Sequence, residues 1–114
     1  MDMNTRHVPY PYTGPEEMRL PVEQALKRVV DPEVAMTIVD VGLVYGVTLT
    51  DERLHAVVTM TSAACPVTDL ILEEVETELE RIAPDGAVVD VELVWDPPWT
   101  TDRMSTRAKA FMGW

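Results

Sequence analysis

One sulfur dominates the chemistry this sequence could perform. Cys65 is the only cysteine, and it sits in Thr61-Ser62-Ala63-Ala64-Cys65-Pro66-Val67-Thr68-Asp69. Upstream, His55 to Thr61 alternates β-branched and small residues as a strand does, and downstream an apolar-periodic run begins just after Pro66. Proline is favoured in the first helical turn, where its missing N–H would have had no partner, so Cys65 is expected at or beside a helix N-cap. Unpaired backbone N–H groups and the positive end of the helix dipole stabilise an anion there, which makes a thiolate easier to form than in a free cysteine. Cys65 is then either a nucleophile or soft-metal ligand, or a small hydrophobe filling a gap beneath a sheet.

The other titratable residues narrow that chemistry. A single cysteine makes no internal disulfide, and it cannot supply a four-cysteine metal site. A cluster or soft metal must therefore borrow ligands from a second protomer, a small thiol, or oxygen and imidazole groups. A catalytic thiol needs a base, and the only imidazoles are His7, on an N-terminal arm, and His55, beside a hairpin turn and read as a surface histidine. A thiol enzyme is the weakest reading. Asp40 stands inside the apolar run Ile38-Val39-Asp40-Val41-Gly42, where it is expected to cap a short turn rather than react directly. The carboxylates from Glu73 to Glu80 have the pattern of a solvated helix face, not of a catalytic pair in a cleft.

The elements that must position these residues follow from periodicity. Residues 1–20 read as a flexible, loosely docked arm, with Pro9, Pro11, Gly14 and Pro15 around Tyr10 and Tyr12. Residues 21–114 form one domain. Pro21 opens a helix with Val22, Ala25, Leu26 and Val29 on one stripe, expected to stop at Asp31-Pro32 because the residue before proline avoids the helical region. Leu43–Leu49 and Leu54–Thr61 read as strands of a hairpin, with Leu54, Ala56, Val58 and Met60 on one face. Ile71, Val75, Leu79 and Ile82 mark a second helix, and Ala87–Trp95 a third strand alternating Val89, Val91 and Leu93 with Asp90 and Glu92. Asp96-Pro97-Pro98-Trp99 ends that strand, and Thr101-Asp102 caps a last short helix. The prolines and tryptophans there either form a preset wall of a pocket or docking surface, or pack aromatic bulk under the sheet. The resulting fold class is α+β: helix, strand, strand, helix, strand, helix, with a mostly three-stranded sheet covered by helices.

Composition excludes several partners. The chain has 114 residues and a formal net charge of −11, which opposes nonspecific binding to nucleic acid or to an anionic membrane. Its apolar runs fall short of the ~20 residues that cross a bilayer, and the N-terminus lacks a signal-peptide pattern, so a cytoplasmic location is expected.

Taken together, Asp31-Pro32-Glu33, Ile38-Val39-Asp40-Val41-Gly42-Leu43-Val44-Tyr45, Thr61-Ser62-Ala63-Ala64-Cys65-Pro66 and Asp96-Pro97-Pro98-Trp99 with Met104-Ser105 resemble the metal-sulfur cluster biosynthetic family. That is the iron-sulfur assembly domain of SufT-like and PaaD-like proteins. The resemblance runs from about Pro21 to the C-terminus. It implies a non-enzymatic accessory role in maturing iron-sulfur or related metalloproteins, with transient binding of iron or a cluster through Cys65. It also implies that Asp40, Thr61 and Asp96 shape the pocket around that sulfur. The implied partners are client apo-metalloproteins and iron-sulfur assembly proteins, and a homodimer could bring two Cys65 residues together. The competing role is an interaction module that binds no metal and helps assemble a multicomponent oxygenase.

Overall fold

The computed structural model describes residues 10–32, 34–61 and 68–113. In chain order they form β1 (Tyr12–Thr13), α1 (Glu16–Leu26), β2 (Val30–Asp31), β3 (Met36–Thr37), α2 (Ile38–Val41), β4 (Val44–Leu49), β5 (Arg53–Val58), α3 (Thr68–Ile82), β6 (Val88–Leu93), a 3-10 turn (Thr101–Arg103) and α4 (Thr106–Met112). The sheet order is β1-β4-β5-β6, with β4 and β5 antiparallel and the two outer pairs parallel. β2 and β3 make a separate antiparallel ribbon. The architecture is a small α+β domain, as the periodicity indicated.

The apolar stripes behave as their spacing requires. Val22, Ala25, Leu26 and Val29 are buried, as are Leu54, Ala56 and Val58 along β5 and Met60 just beyond it, and Ile71, Val75 and Leu79 of α3 close the same core. Burying each such side chain contributes roughly 1.5–3 kcal/mol relative to leaving it in water. α3 connects the ends of the parallel pair β5 and β6, so it must cross over one face of the sheet.

Three expectations are corrected. Residues 10–20, read as part of a flexible arm, are folded onto the domain: Tyr10 is buried, the Pro11 carbonyl accepts the Val47 N–H at 3.0 Å, and β1 adds a fourth strand beside β4. Short pairing of this kind leaves no period-two signal in the sequence. α1 starts at Glu16 rather than Pro21 and runs through that proline, with Glu16 and Arg19 paired at 2.7 Å in its first turn. It ends at Leu26, short of Asp31-Pro32, because Arg28 and Val29 tighten to i−3 bonds before the chain enters β2. The β2–β3 ribbon, whose first strand Val30–Asp31 replaces the expected end of that helix, turns at Ala35, which adopts φ 58° and donates its N–H to the Asp31 carbonyl at 2.8 Å.

Candidate functional site

Strand register decides which connections share an edge of the sheet. Val44, at the start of β4, pairs with Val58 at the end of β5, and Val58 pairs with Leu93 at the end of β6. The chain before β4, the chain after β5 and the chain after β6 therefore all leave at one edge. Backbone bonds carry the ladder past the strand ends: Thr59 N–H donates to the Leu43 carbonyl at 2.8 Å and Val94 N–H to the Val58 carbonyl at 2.9 Å. Asp40, Thr61 and Asp96, picked from separate stretches of sequence, are delivered to this edge by those three segments. It is the carboxyl edge of the parallel pair, where α/β crossovers present functional loops. Cys65, with Ser62 to Val67, lies outside the described residues, as does His7.

Asp40 is the best-held polar side chain at this edge. Thr37 precedes α2 as its N-cap: its Oγ1 accepts the Asp40 N–H at 3.1 Å and donates to Asp40 Oδ2 at 3.1 Å. Ser105 Oγ donates to Asp40 Oδ1 at 3.1 Å, while the Ser105 N–H donates to the Asp40 carbonyl at 2.9 Å. The carboxylate is thus fixed by a hydroxyl on each oxygen. The expectation that Asp40 itself caps a turn is corrected, since Thr37 caps α2 and Asp40 is what the cap holds. The spacing Thr37-x-x-Asp40 is that of a capping box, and it is the sequence signal that could have identified Thr37. Ser105 could not be found that way, because its contact spans 65 positions.

The chain after β6 straps this arrangement together. Tyr45 OH donates to the Pro97 carbonyl at 2.6 Å, Trp99 Nε1–H donates to the Val41 carbonyl at 2.8 Å, and the Arg103 guanidinium stacks 4.2 Å from the Tyr45 ring centroid. Gly42 ends α2 with φ 86°, and a Cβ at that position would overlap the Arg103 carbonyl. Of the alternatives for the proline-tryptophan segment, packing holds for Trp99, which lies half-buried against the core, while Trp95 stays 45% exposed. Ser105 then caps α4 by accepting the Ala108 N–H at 3.0 Å.

The remaining candidates differ from Asp40. Asp96 is exposed and Thr61 half-buried, and neither side chain makes a hydrogen bond or ion pair among the described residues. Both share the edge with Asp40 but are not bonded to it. Thr59, which sequence reasoning passed over, is fully buried, and its Oγ1 has no hydrogen-bond partner among the described residues. His55 is half-buried rather than simply on the surface: Nδ1 lies 2.8 Å from Asp90 Oδ2 and Nε2 3.2 Å from Glu92 Oε1. The carboxylates take opposite sides of the ring, so the three groups share no common point where a metal could sit. Consistent with that geometry, no set of three or more His, Cys, Asp or Glu suited to a metal occurs among the described residues.

A cleft of about 320 Å³ opens beside Asp40, with Val30, Met36 and Phe111 as apolar walls, Thr37 at the carboxylate and Arg107 on the rim. The arrangement offers an oriented carboxylate at the rim of an apolar surface, at the edge from which β5 leads through Thr61 into the Cys65 segment. No helix among the described residues is long and apolar enough to cross a membrane.

Comparison with known proteins places the chain in a family. Residues 21–93 match the family model described as iron-sulfur cluster assembly protein. The chain is 40% identical over 99 residues to the Fe-S protein maturation auxiliary factor YitW of Bacillus subtilis, covering 86% of this chain and 96% of that protein. It is 44% identical over 86 residues to the Fe-S protein maturation auxiliary factor SufT of Staphylococcus aureus, covering 75% and 97% respectively. Among solved structures, a domain of unknown function from Bacillus anthracis superposes with a TM-score of 0.78 at 36% identity, covering 86% of this chain and 93% of that one. With the matched model spanning most of its length, the chain belongs to the iron-sulfur cluster assembly protein family.

Proposed function

We propose that this protein is an accessory factor in iron-sulfur protein maturation, that it catalyses no reaction of its own, and that Cys65 meets the cargo, iron or a cluster in transit. The observation that carries the reading is that the chain spans nearly the full length of two relatives named as Fe-S maturation auxiliary factors. The site geometry supports it. Asp40 is held at the same sheet edge from which the Cys65 segment departs, and Thr37 and Ser105 fix its orientation. A thiolate is the soft donor that iron in such clusters prefers, whereas a carboxylate is harder and more labile. A single soft ligand per chain suits transfer better than storage, because the remaining coordination positions must be filled by a partner. Client apo-metalloproteins, assembly proteins or a second protomer would supply those ligands. Asp40 acts as a positioning residue that keeps α2 and the strap in register with the loop after β5.

The test is anaerobic reconstitution with ferrous iron and sulfide, comparing the unmodified protein with Cys65→Ser and Asp40→Asn by visible absorption, iron content and sedimentation. The expected result is a sulfur-to-iron charge-transfer band in the unmodified protein that Cys65→Ser lacks and Asp40→Asn shows with reduced occupancy. Equal spectra for the unmodified protein and Cys65→Ser would exclude direct carriage by this sulfur.

A further inference from the structure

The two borders of the sheet are built differently. β1, at one border, is two residues long and lies between Pro11 and Pro15, so it offers almost no backbone to a neighbour. β6, at the other border, is six residues long, pairs with β5 without a register shift, and contains no proline or lysine. Val88 N–H and Val94 N–H both point to β5, at 2.9 Å from the carbonyls of Glu52 and Val58. Alternation then turns the backbone groups of Val89, Val91 and Leu93 away from β5, toward the open side. Among the described residues nothing pairs with this border, and an unpaired row of backbone groups of this length is a template for strand addition.

Register also assigns the side chains. Val89, Val91 and Leu93 pair with the buried Leu54, Ala56 and Val58 and share their face, where they are half-buried against the core. Val88, Asp90 and Glu92 share the opposite face with Arg53 and His55. Asp90 uses only Oδ2 on its β5 side, toward Arg53 at 3.1 Å and His55 at 2.8 Å, and Glu92 uses only Oε1, toward His55. Among the described residues, Asp90 Oδ1 and Glu92 Oε2 have no partner. They are side-chain acceptors left open on the outermost strand.

We infer that the β6 edge binds an extended segment of a partner protein that alternates basic and apolar residues, adding a strand to the sheet. Its backbone pairs with Val89, Val91 and Leu93, its apolar residues extend the face of those three, and its lysines or arginines meet the free oxygens of Asp90 and Glu92. A second copy of this chain is a poor occupant. Antiparallel pairing of two β6 strands centred on Val91 sets Asp90 opposite Glu92 twice, and centring on Asp90 or Glu92 sets like residues opposite each other. Like charges directly across a strand pair destabilise it. The net charge of −11 works in the same direction, opposing self-association and favouring a basic partner.

The test uses a synthetic peptide of about ten residues alternating lysine with valine, a control alternating glutamate with valine, and amide hydrogen exchange read by NMR. The lysine peptide should slow exchange at Val89, Val91 and Leu93, and the control should bind at least about tenfold more weakly. Val91→Pro removes an outward N–H without touching the ladder to β5, and it should weaken the lysine peptide by at least about tenfold. Asp90→Asn combined with Glu92→Gln should equalise the two peptides. If Val91→Pro fails to fold, the double variant and the peptide pair decide the matter alone. Absence of protection at the three amides, equal affinity for both peptides with the unmodified protein, or a dimer in sedimentation that the double variant strengthens and Val91→Pro abolishes would each overturn the proposal.

Discussion

At the scale of residues, Asp40 shows how a carboxylate in an apolar run is tolerated. Its oxygens accept from Thr37 and Ser105, so the half-buried charge keeps hydrogen bonds in place of water. Ser105 serves two partners at once, donating to Asp40 and accepting from the Ala108 N–H at the start of α4. Ser105→Ala is therefore expected to cost about 1–2 kcal/mol through the lost cap and the lost donor. Asp40→Ala should cost a similar amount, about 1–3 kcal/mol, by leaving two hydroxyls without their acceptor. Because the two side chains share one bond, the double variant should be less damaging than the sum, with a coupling of about 0.5–1.5 kcal/mol in a urea-denaturation cycle. Strict additivity would mean that the contact contributes nothing in solution.

At the scale of elements, the turn between α2 and β4 carries the tightest constraint. Gly42 combines a left-handed backbone with a close approach of the Arg103 carbonyl, so Gly42→Ala must both strain the turn and push the strap away. A loss of at least about 2 kcal/mol is expected in thermal or urea unfolding. Gly86 is the control: it has the same φ of 86° but open space around a Cβ, so Gly86→Ala should cost only about 1 kcal/mol. Similar losses for the two would show that backbone strain alone governs Gly42. The strap itself is held by Trp99 and Tyr45, and Tyr45→Phe, which removes the bond to the Pro97 carbonyl, should cost about 0.5–1.5 kcal/mol. On the proposed carriage of iron, it should also reduce iron occupancy in the reconstitution assay.

At the scale of the whole molecule, the N-terminal segment is part of the stability of the domain. Tyr10 is buried against the core, and burial, followed by the negative charge of Glu23, pushes its phenol well above its ordinary value near 10. A phenol whose pKa is raised by folding stays protonated in the native state while the unfolded chain ionises. Its contribution is fully present below about pH 10 and is lost as the pH climbs from there toward the folded value. Unfolding midpoints should fall above about pH 10, and Tyr10→Phe should flatten that decline relative to the unmodified protein. An unchanged alkaline slope in Tyr10→Phe would mean that other groups govern it.

The sequence by itself determined the elements whose signal is local. Period-two alternation marked β4, β5 and β6, three-and-four spacing marked α1 and α3, and the buried sets match those stripes because a residue's face follows from its position within the element. The family was legible as well, since the resemblance rests on short contiguous stretches of sequence, and the family model matches residues 21–93. What only the tertiary structure decided were the relations across distance. Register between β4, β5 and β6 put Asp40, Thr61 and Asp96 at one edge, and the contact of Ser105 with Asp40 joined residues no local pattern connects. β1 and the β2–β3 ribbon escaped for the same reason: strands of two residues carry no period, and they exist because a neighbouring backbone accepts their bonds. The open border of the sheet among the described residues is a property of the assembled fold too, because a strand becomes an edge only when nothing pairs beyond it.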